Sequence, residues 1–128
     1  MSRAVLRVAP DPPMLPVVRM VLASAARQAR VDANLVEEIR LAVTEAVAEA
    51  IDAHRSVPTD ERVVVEFDFA SSVVDVRVRH VAAQGPARLD TIDRMGVIAG
   101  IADEVDVGRD ESGTVTISMQ WAQVDTRH

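Results

Sequence analysis

VDANLVEEIRLAVTEAVAEAIDAH, residues Val31 to His54, is the stretch on which the reading of this chain turns. Leu35, Ile39, Ala42, Val43, Ala46, Ala50 and Ile51 recur at three- and four-residue steps and make one apolar stripe of a long helix. Glu38, Glu45, Glu49 and Asp52 recur at the same steps and make a second, acidic stripe. Stacked carboxylates repel by roughly a few tenths of a kcal/mol per pair, so helix stability does not ask for them. They are either a solvated face or part of a site. At the start of this helix Asn34 and Glu37 have capping-box spacing, and Asp32 is an alternative cap. The helix is expected to end near Ala53.

On the N-terminal side, Ala4 to Ala9 is a short Val- and Leu-rich run stopped by Pro10, which reads as an edge strand. Met14 to Arg30 then takes a helical period, with Val17, Val18, Val21, Leu22, Ala25 and Ala29 on the apolar face. On the C-terminal side, residues 62–69 and 73–81 alternate strictly and predict an antiparallel hairpin with one wet face. On that face Glu66 and Asp68 oppose Asp75, Arg77 and Arg79, so cross-strand ion pairs are expected. Residues 82–88 read as a loop and Asp90 to Ala102 as a third amphipathic helix. Glu104 to Val107 is a short strand, 108–113 a hairpin loop, and Thr114 to Trp121 a strand with Val115, Ile117, Met119 and Trp121 inward. The tail from Ala122 is expected to fray. Met14, Met20 and Met95 read as core or interface filler. The order β-α-α-β-β-α-β-β predicts an α+β two-layer sandwich, a mixed or antiparallel sheet covered on one face by about three helices, with residues 1–128 as a single domain.

Composition narrows the chemistry. Aromatic residues are 2% of the chain, so its core rests on Val, Ile, Leu, Met and Ala. There is no cysteine, which excludes disulfides, thiolate metal sites and a cysteine nucleophile. There is no lysine either, which excludes a P-loop lysine and a Schiff base. A net charge of -6 without evident basic clusters argues against nucleic acid and suits a partner with a basic surface. No apolar run is long enough to span a membrane, and the N-terminus lacks a signal-peptide core; a cytoplasmic protein is expected. His54, His80 and nearby carboxylates lack a recognisable metal-ligand spacing.

The element order, together with EIRLAVTEAVAEAI in the central helix and IADEVDV followed by GTVTISM near the end, resembles the RsbW/SpoIIAB-type anti-sigma-factor serine kinases of the GHKL (histidine-kinase-like, Bergerat) ATPase superfamily. Arg19 stands in the first helix where that family usually carries an arginine. The resemblance implies ATP and magnesium as cofactors and a sigma factor as partner. It also implies a STAS-domain anti-anti-sigma protein as antagonist and phosphorylation substrate, and a homodimer. Carried over position by position, it makes Glu45 the general base and puts Glu49 where the family has a metal-holding asparagine. The family's histidine one turn later falls on Ala53, with His54 one residue late. The adenine-reading Asp-x-Gly-x-Gly box falls on His80 to Gln84, so that His80 replaces the aspartate and Ala82 the first glycine. The two glycines of the lid box fall on Ile92 and Arg94.

One feature needs no alignment. The glycines are Gly85, Gly96, Gly100, Gly108 and Gly113, so the chain has no G-x-G with which a loop could wrap phosphates closely. Three readings follow. The first is an anti-sigma-type binding protein working by partner switching, without a cofactor, its old cleft filled by side chains of the 82–94 stretch. The second is an active ATP- and magnesium-dependent serine kinase with Glu45 as base and Glu49 as metal ligand. The third is a small α+β domain whose likeness to the family is accidental.

Overall fold

The computed structural model describes residues 2–55, 57, 60–70, 72–82 and 89–123. Its elements are β1 (Ser2–Val8), α1 (Met14–Gln28), α2 (Ala33–Arg55), β2 (Val63–Phe69), β3 (Val73–Val81), α3 (Leu89–Ile101), β4 (Glu104–Arg109) and β5 (Thr114–Ala122). The strands form one five-stranded sheet in the order β1-β2-β3-β5-β4, and every neighbouring pair is antiparallel. The expected alternative of a mixed sheet is thus resolved.

Register follows from the alternation. Val63, Val65, Phe67 and Phe69 of β2, Val74, Val76 and Val78 of β3, and Ile117, Met119 and Trp121 of β5 are all buried on one face. The helices cover that face. α2 lies over β2 and β3, α1 flanks it toward β1, and α3 flanks it toward β4. The α2 stripe of Ile39, Ala42, Val43, Ala46, Val47, Ala50 and Ile51 is inaccessible to solvent or nearly so and forms the middle of the core. Small Ala residues let the helix approach the Val-rich sheet closely, which suits a core with so few rings. The Trp121 ring is buried, and its indole N–H donates to the Ile101 carbonyl at 3.3 Å, joining β5 to the end of α3.

Several local expectations are corrected. Asp32, not Asn34, caps α2: its carboxylate accepts from the N–H groups of Asn34 at 3.1 Å and Leu35 at 3.3 Å. α2 runs on to Arg55, and α1 ends at Gln28, short of Arg30. The α1 ending has a physical cause. Val31 N–H bonds the Ala26 carbonyl and Arg30 N–H bonds that of Arg27, both at 3.0 Å, which is a Schellman closure. Such a closure needs a left-handed residue, and here Arg30 fills it at φ 61°. β4 extends through Gly108 and Arg109, because the turn beyond it is closed tightly. Asp110 accepts there from the N–H groups of Ser112 and Thr114, each at 3.0 Å, and from the Ser112 hydroxyl at 2.6 Å. The Ser112 hydroxyl, with those backbone donors, holds the Asp110 carboxyl below its ordinary value. Met20 is no core filler, since it is 66% exposed.

The outer face of the sheet carries the expected cross-strand pairs, with one correction. Glu66 is not wet: it is buried between Arg79 and Arg3, the latter at 3.0 Å. Asp75 binds Arg77 at 3.6 Å and Gln120 at 3.1 Å. Ser56, Pro58, Thr59, the 83–88 part of the expected loop, and the tail from residue 124 lie outside the described residues.

Arg30 carries a side chain where the backbone favours glycine, at a cost of about 1 kcal/mol. Arg30→Gly is therefore expected to raise the unfolding free energy by roughly 0.5–1 kcal/mol. Urea denaturation followed by Trp121 fluorescence measures it; an unchanged or lower midpoint would show that the Arg30 side chain contributes more than its backbone strain.

Candidate functional site

α2 has two unlike flanks. Its apolar stripe turns to the sheet, and the Glu45–Glu49–Asp52 stripe turns to α3, because seven residues make two turns of an α-helix. α3 docks on this flank through buried Ile98, with Met95 and Ile101 packed against the core beside it. That docking brings Arg94 over the carboxylates.

Arg94 Nη2 lies 2.7 Å from Asp52 Oδ2, Nη1 lies 3.1 Å from Glu49 Oε2, and Nε lies 3.9 Å from Glu45 Oε2. One planar guanidinium therefore meets three carboxylates spaced over two helical turns, a geometry suited to the fixed fork of arginine rather than to the point charge of lysine. Glu49 is buried at 6% exposure, whereas Glu45 and Asp52 are half-buried. Burial opposes the charge of Arg94, but the hydrogen bonds to Asp52 and Glu49 outweigh it and raise its pKa above the ordinary arginine value.

A second polar group sits at the C-terminal end of β3. His54, on α2, is buried and pins three segments. Its Nδ1 accepts from the Val81 N–H at 3.3 Å, and its Nε2 donates to the Glu61 carbonyl. That pattern places the ring hydrogen on Nε2. His80 is buried at 4% exposure on the helix-facing side of the sheet. Its Nδ1 meets the Val81 carbonyl at 3.3 Å, and its Nε2 has no partner among the described residues. Burial pushes the His80 imidazole below its ordinary value, aided by the positive Arg109 and by His54; the Val81 carbonyl and Glu49 oppose the shift without cancelling it.

The residues singled out in the sequence thus fall in two places. Glu45, Glu49 and Arg94 come together on the α2–α3 seam. His80 and Ala82 stand at the end of β3, where the Ala82 N–H donates to the Gly113 carbonyl at 3.4 Å. Ile92 belongs to α3 by its backbone, and its side chain lies outside the described residues, as do Ala83 and Gln84. Sequence reasoning missed two contributors. Asp52 was placed in the acidic stripe but given no role, although it makes the shortest contact to Arg94. His54 was passed over for being out of register, although it is the buried staple of this end of the sheet. The available signal for Arg94 was its position next to Met95 and four residues before Ile98, at the border of the apolar face of α3. Among the described residues, no group of three His, Asp or Glu side chains is arranged to hold a metal ion. No described helix is long and apolar enough to cross a membrane.

Comparison with known proteins gives two positive findings. The family described as "Histidine kinase-like ATPase domain" matches residues 8–121. Among solved structures, the chain is similar to the crystal structure of the RsbU and RsbW domains of Rv1364c from Mycobacterium tuberculosis. The TM-score is 0.76 at 16% identity, over 96% of this chain and 33% of that one. At such identity the likeness is one of fold, and this chain spans about a third of the longer protein. No curated protein sequence matches.

Arg94→Ala removes a partly buried cation from three carboxylates and is expected to destabilise the fold by about 2–3 kcal/mol, with Arg94→Lys recovering only part of the loss. Chemical denaturation of the variants measures this, and a loss under ~0.5 kcal/mol would make the cluster an ordinary surface pair. His80 sets a pH dependence. As pH falls below about 6.5, the ordinary histidine value, the unfolded chain takes up a proton before the folded one does. Its contribution is therefore complete above that pH and is lost as pH falls through the lowered folded value. The slope is at most about 1.4 kcal/mol per pH unit. Denaturation at pH 7.5 and 5.5 should show wild type losing more stability than His80→Gln; equal losses would contradict this assignment.

Proposed function

The chain belongs to the histidine kinase-like ATPase domain family, and from that premise we propose that it is an anti-sigma-type regulatory protein that acts by occupying partners rather than by turning over ATP. Its partners in this reading are a sigma factor and a STAS-domain antagonist that competes for it, with a second copy of itself as a further partner in a homodimer. The accidental-likeness reading is set aside by the family match over residues 8–121.

The observation that carries the proposal is the guanidinium of Arg94 on Glu49 and Asp52. In the family resemblance, Glu49 stands at the metal-holding position. A magnesium ion bound there requires near-octahedral oxygen ligands at about 2.0–2.1 Å. The chain's own cation is already hydrogen-bonded to that carboxylate, and a magnesium ion bound to it would sit against the guanidinium's positive charge. Three further features agree. The adenine-box aspartate is replaced by His80, whose burial favours the neutral ring. The N–H of Ala82, which replaces the first glycine of that box, is turned to the Gly113 carbonyl. No G-x-G exists to bring backbone N–H groups onto phosphates. The residues present therefore do not fit a magnesium-nucleotide complex in the family's manner, and no phosphoryl-transfer step is assigned to Glu45.

The kinase reading keeps one supporting observation: Glu45 is half-buried rather than sealed and retains the residue type of the family base. The two readings separate cleanly. Calorimetric titration of the chain with magnesium-ATP is expected to give no binding heat at millimolar nucleotide. Glu45→Ala is expected to leave capture of the organism's sigma and STAS proteins unchanged. Saturable heat together with phosphorylation of the STAS protein that disappears in Glu45→Ala would establish the kinase instead. Capture of neither protein by wild type would end the proposal.

A further inference from the structure

β4 ends the sheet on one side: β5 pairs with it and, among the described residues, no strand pairs with its other edge. Which backbone groups that edge presents follows from the ladder. The Asp110 N–H donates to the Thr114 carbonyl at 3.0 Å, and an antiparallel pair exchanges bonds at every second residue. Gly108, Asp106 and Glu104 therefore turn their backbone groups to β5, and Val105 and Val107 turn theirs outward. The strand is held at both ends. The Asp103 N–H donates to the Gln120 carbonyl at 3.0 Å, its carboxylate accepts from the Ala122 N–H at 2.6 Å, and the Asp110 turn closes the far end. No proline interrupts β4, so nothing in its backbone prevents further pairing. Its two faces differ in chemistry. Val105 and Val107 stand opposite Met119 and Ile117 on the helix-covered side, where Val107 is 51% exposed and Val97, on the helix that leads into β4, is 44% exposed. Glu104 and Asp106 stand on the outer side and line a shallow groove with Ser118 and Gln120; neither has a cationic partner among the described residues.

We infer that β4 takes up an extended basic segment of a partner protein as an added strand, its backbone on Val105 and Val107, its apolar side chains against Val107 and Val97, and its Arg or Lys side chains on Glu104 and Asp106. Strand addition draws affinity from main-chain hydrogen bonds and specificity from alternate side chains. An occupant that alternates apolar and basic residues meets valine on one face and carboxylate on the other. Charge complementarity selects its sign. Opposite charges directly across a strand pair are favourable and like charges are not, and a chain of net charge -6 draws a basic segment toward it from a distance. A second copy is a poorer fit. β4 against β4 would set Glu104 and Asp106 against like charges. β1 of another copy would offer Arg3, but that guanidinium is held on Glu66 at 3.0 Å, and β1-on-β4 pairing is a head-to-tail contact that in one continued sheet builds an open filament. The inference goes beyond the binding of sigma and STAS proteins and stands whichever way that reading falls, since it rests on the sheet edge alone.

The test uses the full chain, 15N-labelled, and two short synthetic peptides: one alternating Val and Arg, and one with Glu in place of every Arg. The basic peptide is expected to slow hydrogen exchange of the Val105 and Val107 amides at least about tenfold, and the acidic peptide to leave it unchanged. Val107→Pro deletes an outward N–H and spares the β5 ladder, so the variant should fold and bind the basic peptide at least about tenfold more weakly. Glu104→Arg/Asp106→Arg carries the same expectation through charge alone, and it decides the matter should the proline variant fail to fold by circular dichroism. Glu38→Arg, which reverses an exposed charge on α2, should leave affinity unchanged. Equal affinity for the two peptides, protection centred on other strands, no protection at millimolar peptide, or weakening by Glu38→Arg equal to that by Val107→Pro each overturns the inference. Self-association of the peptide-free chain that Val107→Pro abolishes, read by sedimentation, assigns the edge to a second copy and also overturns it.

Discussion

Burying a carboxylate is the constraint on which this structure turns. Glu49 is on the longest helix, on its flank toward α3, and only 6% of its surface is left to water. An ionised carboxylate in such a place is tolerated only with charge compensation and hydrogen bonds. Arg94 supplies both, and to do so α3 must sit at one height along α2. The ion pairs to Glu49 and Asp52, a turn apart, set that height, while Ile98 and Met95 provide the apolar contact that holds the helix down. Trp121 then ties the far end of α3 to the sheet, so the docking of one helix is specified by polar contacts at one end and by an apolar ring with its single hydrogen bond at the other.

The sheet has a different logic. Nearly all its inward positions are Val, Phe, Ile or Met, and alternation alone specifies which side they take. This is why the fold was legible in the sequence down to the limits of β3, and nearly so for β5. A period of two in the strands and of about 3.6 in the helices survives without knowledge of any partner residue. What alternation does not report is how wet the outer face is. Glu66 alternates outward as a wet residue should, and is nevertheless buried because Arg3 and Arg79, from the strands on either side of β2, close over it. Helix ends were read less well for a similar reason. The closure after α1 depends on the left-handed backbone of Arg30, which is not a residue type that announces such a turn.

The site was legible in parts. Glu45 and Glu49 could be named from their spacing and from the family resemblance, and Arg94 from register. Their meeting could not, because the reach of an arginine across a helix seam depends on how two helices pack, and periodicity is silent on that. His54 shows the opposite failure. Judged by register it was one residue late and of no account, yet its position at the end of α2 lets it bond both to the last N–H of β3 and to the segment entering β2. A residue out of register for one task was in place for another.

The two flanks of α2 bear on how far net charge can inform function. On one flank, the carboxylates of Glu45, Glu49 and Asp52 turn toward α3 and share one cation of the same chain, Arg94, so part of the chain's acidity is answered internally. On the other flank, Arg19 and Arg27 of α1 stay exposed or half-exposed without a carboxylate partner among the described residues. A partner meets the surface field and not the sum. With Arg19, Arg27 and Arg40 lining one groove, the formal charge there has the opposite sign to the -6 total. Net charge therefore does not report the field at that groove, which has to be read from which charges are already paired.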